Sequence, residues 1–241
     1  KNQLAFQRNH RKKISSGKIK RARRWSWLLK RIPFIKGIFV NGALALGTAD
    51  RKSDWDILVI TDKKRIWLAR FCLAVGLEIF RKRRSGRNDS RSQQDRFCLN
   101  HFLSEDGLIL EKQNQFIAHE SGYCFPLRGA ELYRKYLNLN YFWLRKQRAN
   151  FEADRLDSFW TKEGRPSILK KGLEILSESG GWAERLNNLM KKWMIGLIKN
   201  NPKTHWPGAD IRYTDQALVF IPKPWRDGLD QKAAQLVKKS L

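Results

Sequence analysis

Residues 54–61 read Asp-Trp-Asp-Ile-Leu-Val-Ile-Thr, and no other stretch constrains the fold as tightly. The run from Ile57 to Thr61 is short, apolar and β-branched, the pattern of a strand buried toward its end. It opens on acid-x-acid. Side chains alternate across a strand, so Asp54 and Asp56 share one face, about 7 Å apart by the usual rise per residue. Two carboxylates so placed can share divalent cations, and Mg²⁺ favours one or two carboxylates completed by phosphates and water. The plainer reading is a solvated strand start capped by Ser53.

The neighbouring segments supply context. Ile35–Asn41 is a second strand, rich in β-branched and aromatic residues, and it leads into a small-residue segment from Gly42 to Ser53 (GALALGTADRKS). Gly42 opens a tight turn there. Arg65–Phe80 is an amphipathic helix with Ile66, Leu73, Leu77 and Phe80 on one stripe. Arg81–Arg96 holds no apolar residue before Phe97 and reads as a basic loop. Phe97–Leu103 is a third strand, Ser104–Gly107 turns it, and Leu108–Glu111 is a candidate fourth.

Upstream, residues 1–18 are polar and basic with a break at Ser15-Ser16-Gly17, and Ile19–Arg31 has helical spacing until Pro33 stops it. Downstream of Gln115 helices dominate: Ala130–Arg148 as one, Arg165–Ser177, Trp182–Lys199 and a terminal Gln231–Leu241, with an apolar run at Ala217–Ile221. The expected fold class is α+β, a small mixed sheet with flanking helices followed by a mainly helical region. The expected divisions are a basic tail (1–18), a sheet-containing domain (19–114) and a helical region (115–241).

Lys and Arg number 49 against 23 Asp and Glu, a net charge of +26. Such an imbalance steers polyanions inward and makes nucleic acid the first partner to consider, RNA or tRNA above all, with an anionic membrane surface second. No apolar run is long enough for a transmembrane helix. Cys72, Cys98 and Cys124 are odd in number and far apart, each in an apolar or aromatic setting. They read as buried free thiols of a reducing, cytoplasmic compartment, not as disulfides or zinc ligands.

The block from Phe39 to Thr61 resembles the signature of polymerase β-like nucleotidyltransferases: a strand, a glycine turn, eleven intervening residues and Ser53-Asp54-Trp55-Asp56. That resemblance implies a nucleotidyltransferase fold over residues 20–111 and transfer of a nucleoside monophosphate from a triphosphate, with ATP the expected donor, to a hydroxyl acceptor. Asp54 and Asp56 would hold two Mg²⁺ ions, while Gly42, Ala43 and Ser53 would bind the triphosphate. Here Ala43 stands where the family usually has Ser, and Leu44 and Leu46 where many members have arginines. The third carboxylate expected on the neighbouring strand is missing. Asn100 occupies its region, and Glu105, Asp106 and Glu111 are the nearby acids. The acceptor implied is an RNA end, a protein hydroxyl or a small molecule such as an aminoglycoside. The alternative is a catalytically impaired module that keeps the fold and binds RNA or an acidic partner. A third reading is an antitoxin-like or toxin-like minimal nucleotidyltransferase acting on a partner protein or tRNA.

Overall fold

The computed structural model describes residues 2–84, 93–148, 151, 168–179 and 181–221. Six strands form one mixed sheet: β1 (Ile35–Val40), β2 (Trp55–Thr61), β3 (Phe97–Ser104), β4 (Phe125–Arg128), β5 (Asp210–Tyr213) and β6 (Ala217–Ile221). Their spatial order is β4-β1-β2-β3-β6-β5. β1 runs antiparallel to β2 and β4, and β6 antiparallel to β3 and β5. Only β2 and β3 are parallel, joined across the sheet face by helix α4 (Ile66–Ile79). A parallel pair requires such a crossover, and the helix covers the face it crosses.

The alternation of β2 divides the core in two. Trp55, Ile57 and Val59 enter a cluster with Leu68, Leu73 and Leu77 of α4 and with Ala183 and Met194 of α9 (Trp182–Lys199). Leu58 and Ile60 point the other way, toward Ile117 of α5 (Gln115–Tyr123), Tyr133 and Tyr136 of α6 (Ala130–Leu139) and Leu144 of α7 (Tyr141–Gln147). Asp54 and Asp56 belong to this second face by the same period. Trp55 lies opposite them, edge-on to Phe97 with ring centroids 4.8 Å apart.

The sheet, the strand positions through β3 and helices α4 and α9 agree with the sequence reading. Four expectations need correction. Leu108–Glu111 is not a strand; Leu108 and Leu110 are buried, and Asn140 bonds the Leu108 carbonyl and the Leu110 amide. The single helix expected over Ala130–Arg148 is broken at that same Asn140, whose amide also donates to the Tyr136 carbonyl (2.8 Å). The region after residue 115 is less purely helical than expected, because it contributes β4, β5 and β6 to the sheet. The expected terminal helix Gln231–Leu241 and residues 85–92 of the basic loop lie outside the described residues.

The fourth correction concerns the basic tail. Helix α1 runs without a break from Asn2 to Arg24, and the short α2 (Ser26–Leu29) follows. Ser15, Lys18 and Ala22, at helical spacing, form its buried stripe. The Ser15 hydroxyl accepts from the Ala49 amide (3.2 Å). The Lys18 ammonium is fully buried and donates to the Arg51 and Ser53 carbonyls (3.0 and 2.8 Å) and to Asp95 (2.7 Å). Its three protons thus find three acceptors. Burial alone would raise the Asp95 pKa, but the hydrogen bonds from Lys18 and Arg21 outweigh it and hold this carboxyl below the usual range.

The last long helices bond the start of β1 and the start of α4. Helix α8 (Ile168–Ser179) sends Lys170 to the Ile35 carbonyl (2.6 Å) and Glu174 to the Phe34 amide (2.9 Å). From α9, the Asn187 side chain accepts from the Leu68 amide, one of the donors that α4 leaves without an intrahelical partner.

Candidate metal centre

Four segments meet at one end of the sheet. β1 ends beside the start of β2, where the Asn41 amide donates to the Asp56 carbonyl (3.1 Å). Gly42 follows with φ +64° and opens the one-turn helix α3 (Gly42–Ala45). A Cβ built on Gly42 would lie 2.6 Å from Asp56 Oδ2. Glycine is therefore required twice: for the left-handed backbone and for the space the carboxylate occupies.

β3 enters from the other side. Asp56 pairs with Cys98, but Leu58 pairs with His101, so β3 carries one extra residue between these pairs. Such a bulge re-aims side chains. Here the Asn100 amide donates to Asp56 Oδ1 (3.2 Å), and His101 lines a cleft next to the site. The cleft is small, with Asn41, Glu120, Tyr136 and Arg212 among its walls.

Asp54, Asp56 and Cys98 bring one ligand atom each to within 4.8 Å of one another. Arg84 approaches this group, with Nη1 2.7 Å from Asp54 Oδ2 and 3.2 Å from Cys98 Sγ. The contact with Asp54 is an ion pair without hydrogen-bond alignment. Burial, then the charges of Asp54 and Glu120, push the Asp56 carboxyl up to about 7; Arg84 and Cys98 act against this and lose. Burial also pushes the Cys98 thiol far up, helped by the charges of Asp56 and Asp54.

Asn100 Oδ1 and Asn41 Oδ1 are buried acceptors in this neighbourhood that receive no hydrogen bond, and the buried Asp54 Oδ2 has only the Arg84 guanidinium against it, at 2.7 Å. A buried acceptor without a partner is costly, and such atoms call for an explanation. All three are oxygens, and two sit on or beside the carboxylate pair. That donor set suits a hard divalent cation such as Mg²⁺, which would take Asp54 and Asp56 and fill its remaining positions with phosphate and water.

The site residues expected from sequence are thus distributed unevenly. Asp54, Asp56, Asn100 and Gly42 converge. Ala43 sits in the first turn of α3, where amides have no partner within the helix. The Ser53 hydroxyl is instead engaged with Asp50, donating to Oδ1 and accepting from the amide (both 2.9 Å), and it closes the turn that precedes β2. Glu105 and Asp106 lie at the far end of the sheet, where Glu105 pairs with Lys36 (2.6 Å). They stand about 16 Å from Asp56 at the usual strand rise and cannot complete its site. Glu111 is an exposed side chain 3.9 Å from Arg212. The acid whose charge does reach Asp56 is Glu120 of α5, which no local pattern marks. Cys98 also departs from expectation, since its surroundings are ionic.

Comparisons of the chain with protein-family models, with characterised proteins and with solved structures find no significant match.

Proposed function

We propose that this protein is a divalent-metal-dependent nucleotidyltransferase, moving a nucleoside monophosphate from a triphosphate, ATP foremost, to a hydroxyl acceptor. The observation that carries the reading is the strand-borne carboxylate pair, with the unbonded amide oxygens of Asn41 and Asn100 beside it, held against a glycine turn. When bound, divalent cations would lower the pKa of the acceptor hydroxyl and neutralise charge on the departing pyrophosphate. The chain's own residues then position the reactants. Asp54 and Asp56 supply the cation ligands. Asn100 orients Asp56 through its amide. The first-turn amides at Gly42 and Ala43, which have no partner within the helix, would be available as donors to the triphosphate. The acceptor oxygen bonds the α-phosphorus as the bond to the bridging oxygen breaks, and alignment supplies most of the catalysis. The net charge favours RNA or tRNA as acceptor.

Calorimetry with Mg²⁺ and each of the four nucleoside triphosphates tests this. Wild type should bind at least one of them only with metal, and the Asp54→Asn/Asp56→Asn double variant should bind none. Metal-independent binding, or binding that survives the double substitution, would remove the carboxylate pair from the reading.

One contact favours a second reading. Arg84 already sets a positive charge on Asp54. A chain in which this guanidinium stands permanently in place of the cation would keep the fold and the basic surface without the chemistry. An Arg84→Gln variant that gains triphosphate binding absent from wild type would identify that state.

A further inference from the structure

Helix α1 carries nine Lys and Arg and no Asp or Glu. At 23 residues it is about 34 Å long. Its C-terminal half is latched to the body through Ser15, Lys18 and Arg21. Residues 3–13 are all exposed. Among the described residues no carboxylate pairs with Arg8, Arg11, Lys12 or Lys13. Arg8 has like charges three and four positions on, an arrangement that destabilises an isolated helix. Apart from Lys12 beside Gly47, this half has neither packing nor charge compensation from the described residues.

We propose that the exposed half of α1 binds the phosphodiester backbone of a single-stranded nucleic acid. The chemistry of the surface selects this occupant. A membrane-lying helix needs an apolar face. Here Leu4 and Phe6, each 73 % exposed, lie two residues apart and so point in different directions, forming no common apolar face. Phe6 stacks on His10, with centroids 6.5 Å apart, and offers a platform for unstacked bases. A lone helix cannot read the deep, narrow major groove of an A-form duplex. Position supplies the functional link. Lys12 lies against Gly47, at the end of the glycine turn whose Leu44 and Leu46 bring no charge of their own. One end of the basic half therefore lies at the glycine turn that leads toward the carboxylate pair. The nucleic acid's role as acceptor rests on the proposed transfer reaction; the binding itself does not.

The test is fluorescence anisotropy on the full chain, in EDTA, with labelled 20-nucleotide oligouridylate and oligothymidylate. An Arg8→Gln/Arg11→Gln/Lys12→Gln/Lys13→Gln variant should bind at least about tenfold more weakly than wild type. It should also lose roughly 3 from the slope of log Kd against log salt, at about 0.7 per phosphate contact on a single strand. A charge-matched control, Lys63→Gln/Lys135→Gln/Lys192→Gln/Lys199→Gln, should stay within about threefold of wild type on the same argument. The assay contains neither metal nor triphosphate, which keeps this result separate from the fate of the transfer reading. Equal weakening by the control overturns the proposal, as does wild type that ignores both oligonucleotides. Tighter binding to polyglutamate or to phosphatidylserine vesicles overturns it in favour of an acidic protein or a lipid surface.

Discussion

At the scale of single residues, the site is built against its own stability. Asp56 sits with its carboxyl raised to about 7, through burial and the charges of Asp54 and Glu120. Unfolded, it would titrate near 3.9. Between about pH 4 and 7 the folded state therefore holds a proton that the unfolded chain has released, and stability falls as pH rises through that window. Asp56→Asn should raise the metal-free melting temperature at pH 8, by about 1–2 kcal/mol in stability, the usual size of such trade-offs. The gain should shrink toward pH 5. A variant no more stable than wild type at pH 8 would mean that Asp56 is not strained by its neighbours. Gly42→Ala tests the opposite side of the contact. Its positive φ costs an alanine about 1 kcal/mol, and the new methyl meets Asp56. Thermal melts should show the loss, and Mn²⁺ titration should show weaker binding, because the carboxylate must move.

At the scale of elements, the latch between α1 and the turn before β2 is the telling case. Lys18→Met leaves the Arg51 and Ser53 carbonyls without their donor and Asp95 with Arg21 alone. A cost near 3 kcal/mol is expected for breaking a buried pair of this kind. Denaturant midpoints would read it, and Mn²⁺ affinity should fall with it because residues 50–53 lead directly into Asp54. Little of this element was legible in the sequence. Ser15, Lys18 and Ala22 have helical spacing, but two of the three are polar, so no apolar stripe announces the helix. The carboxylate pair was legible because strand periodicity is local and Asp54 and Asp56 lie two residues apart. Cys98, Asn100 and Arg84 reach it only through the parallel pairing of β2 with β3 and a one-residue bulge, which no short window reveals. Glu120 arrives from farther still. The break between α6 and α7 has a tertiary cause as well, since Asn140 turns inward to satisfy residues 108 and 110.

At the scale of the whole molecule, the sheet joins both halves of the chain. β1, β2 and β3 come from the first half, and their two outer edges are covered by β4 and β6 from the second. A fragment of residues 1–114 should therefore fail to fold alone. Size-exclusion chromatography and circular dichroism should find it aggregated or unstructured, and a monomeric, cooperatively melting fragment would contradict this. The hairpin of β5 and β6 is fixed at its tip, where Asp215 accepts from the Trp67 indole (2.9 Å) and pairs with Lys191 (2.6 Å). This order has a consequence during synthesis. A ribosome completes β3 well over a hundred residues before it releases the strand that seals that edge. Until then the nascent chain presents an open row of amides and carbonyls, a template on which a neighbouring chain can dock. Slow or interrupted translation between residues 104 and 217 is thus the interval in which this protein is most exposed to misassembly.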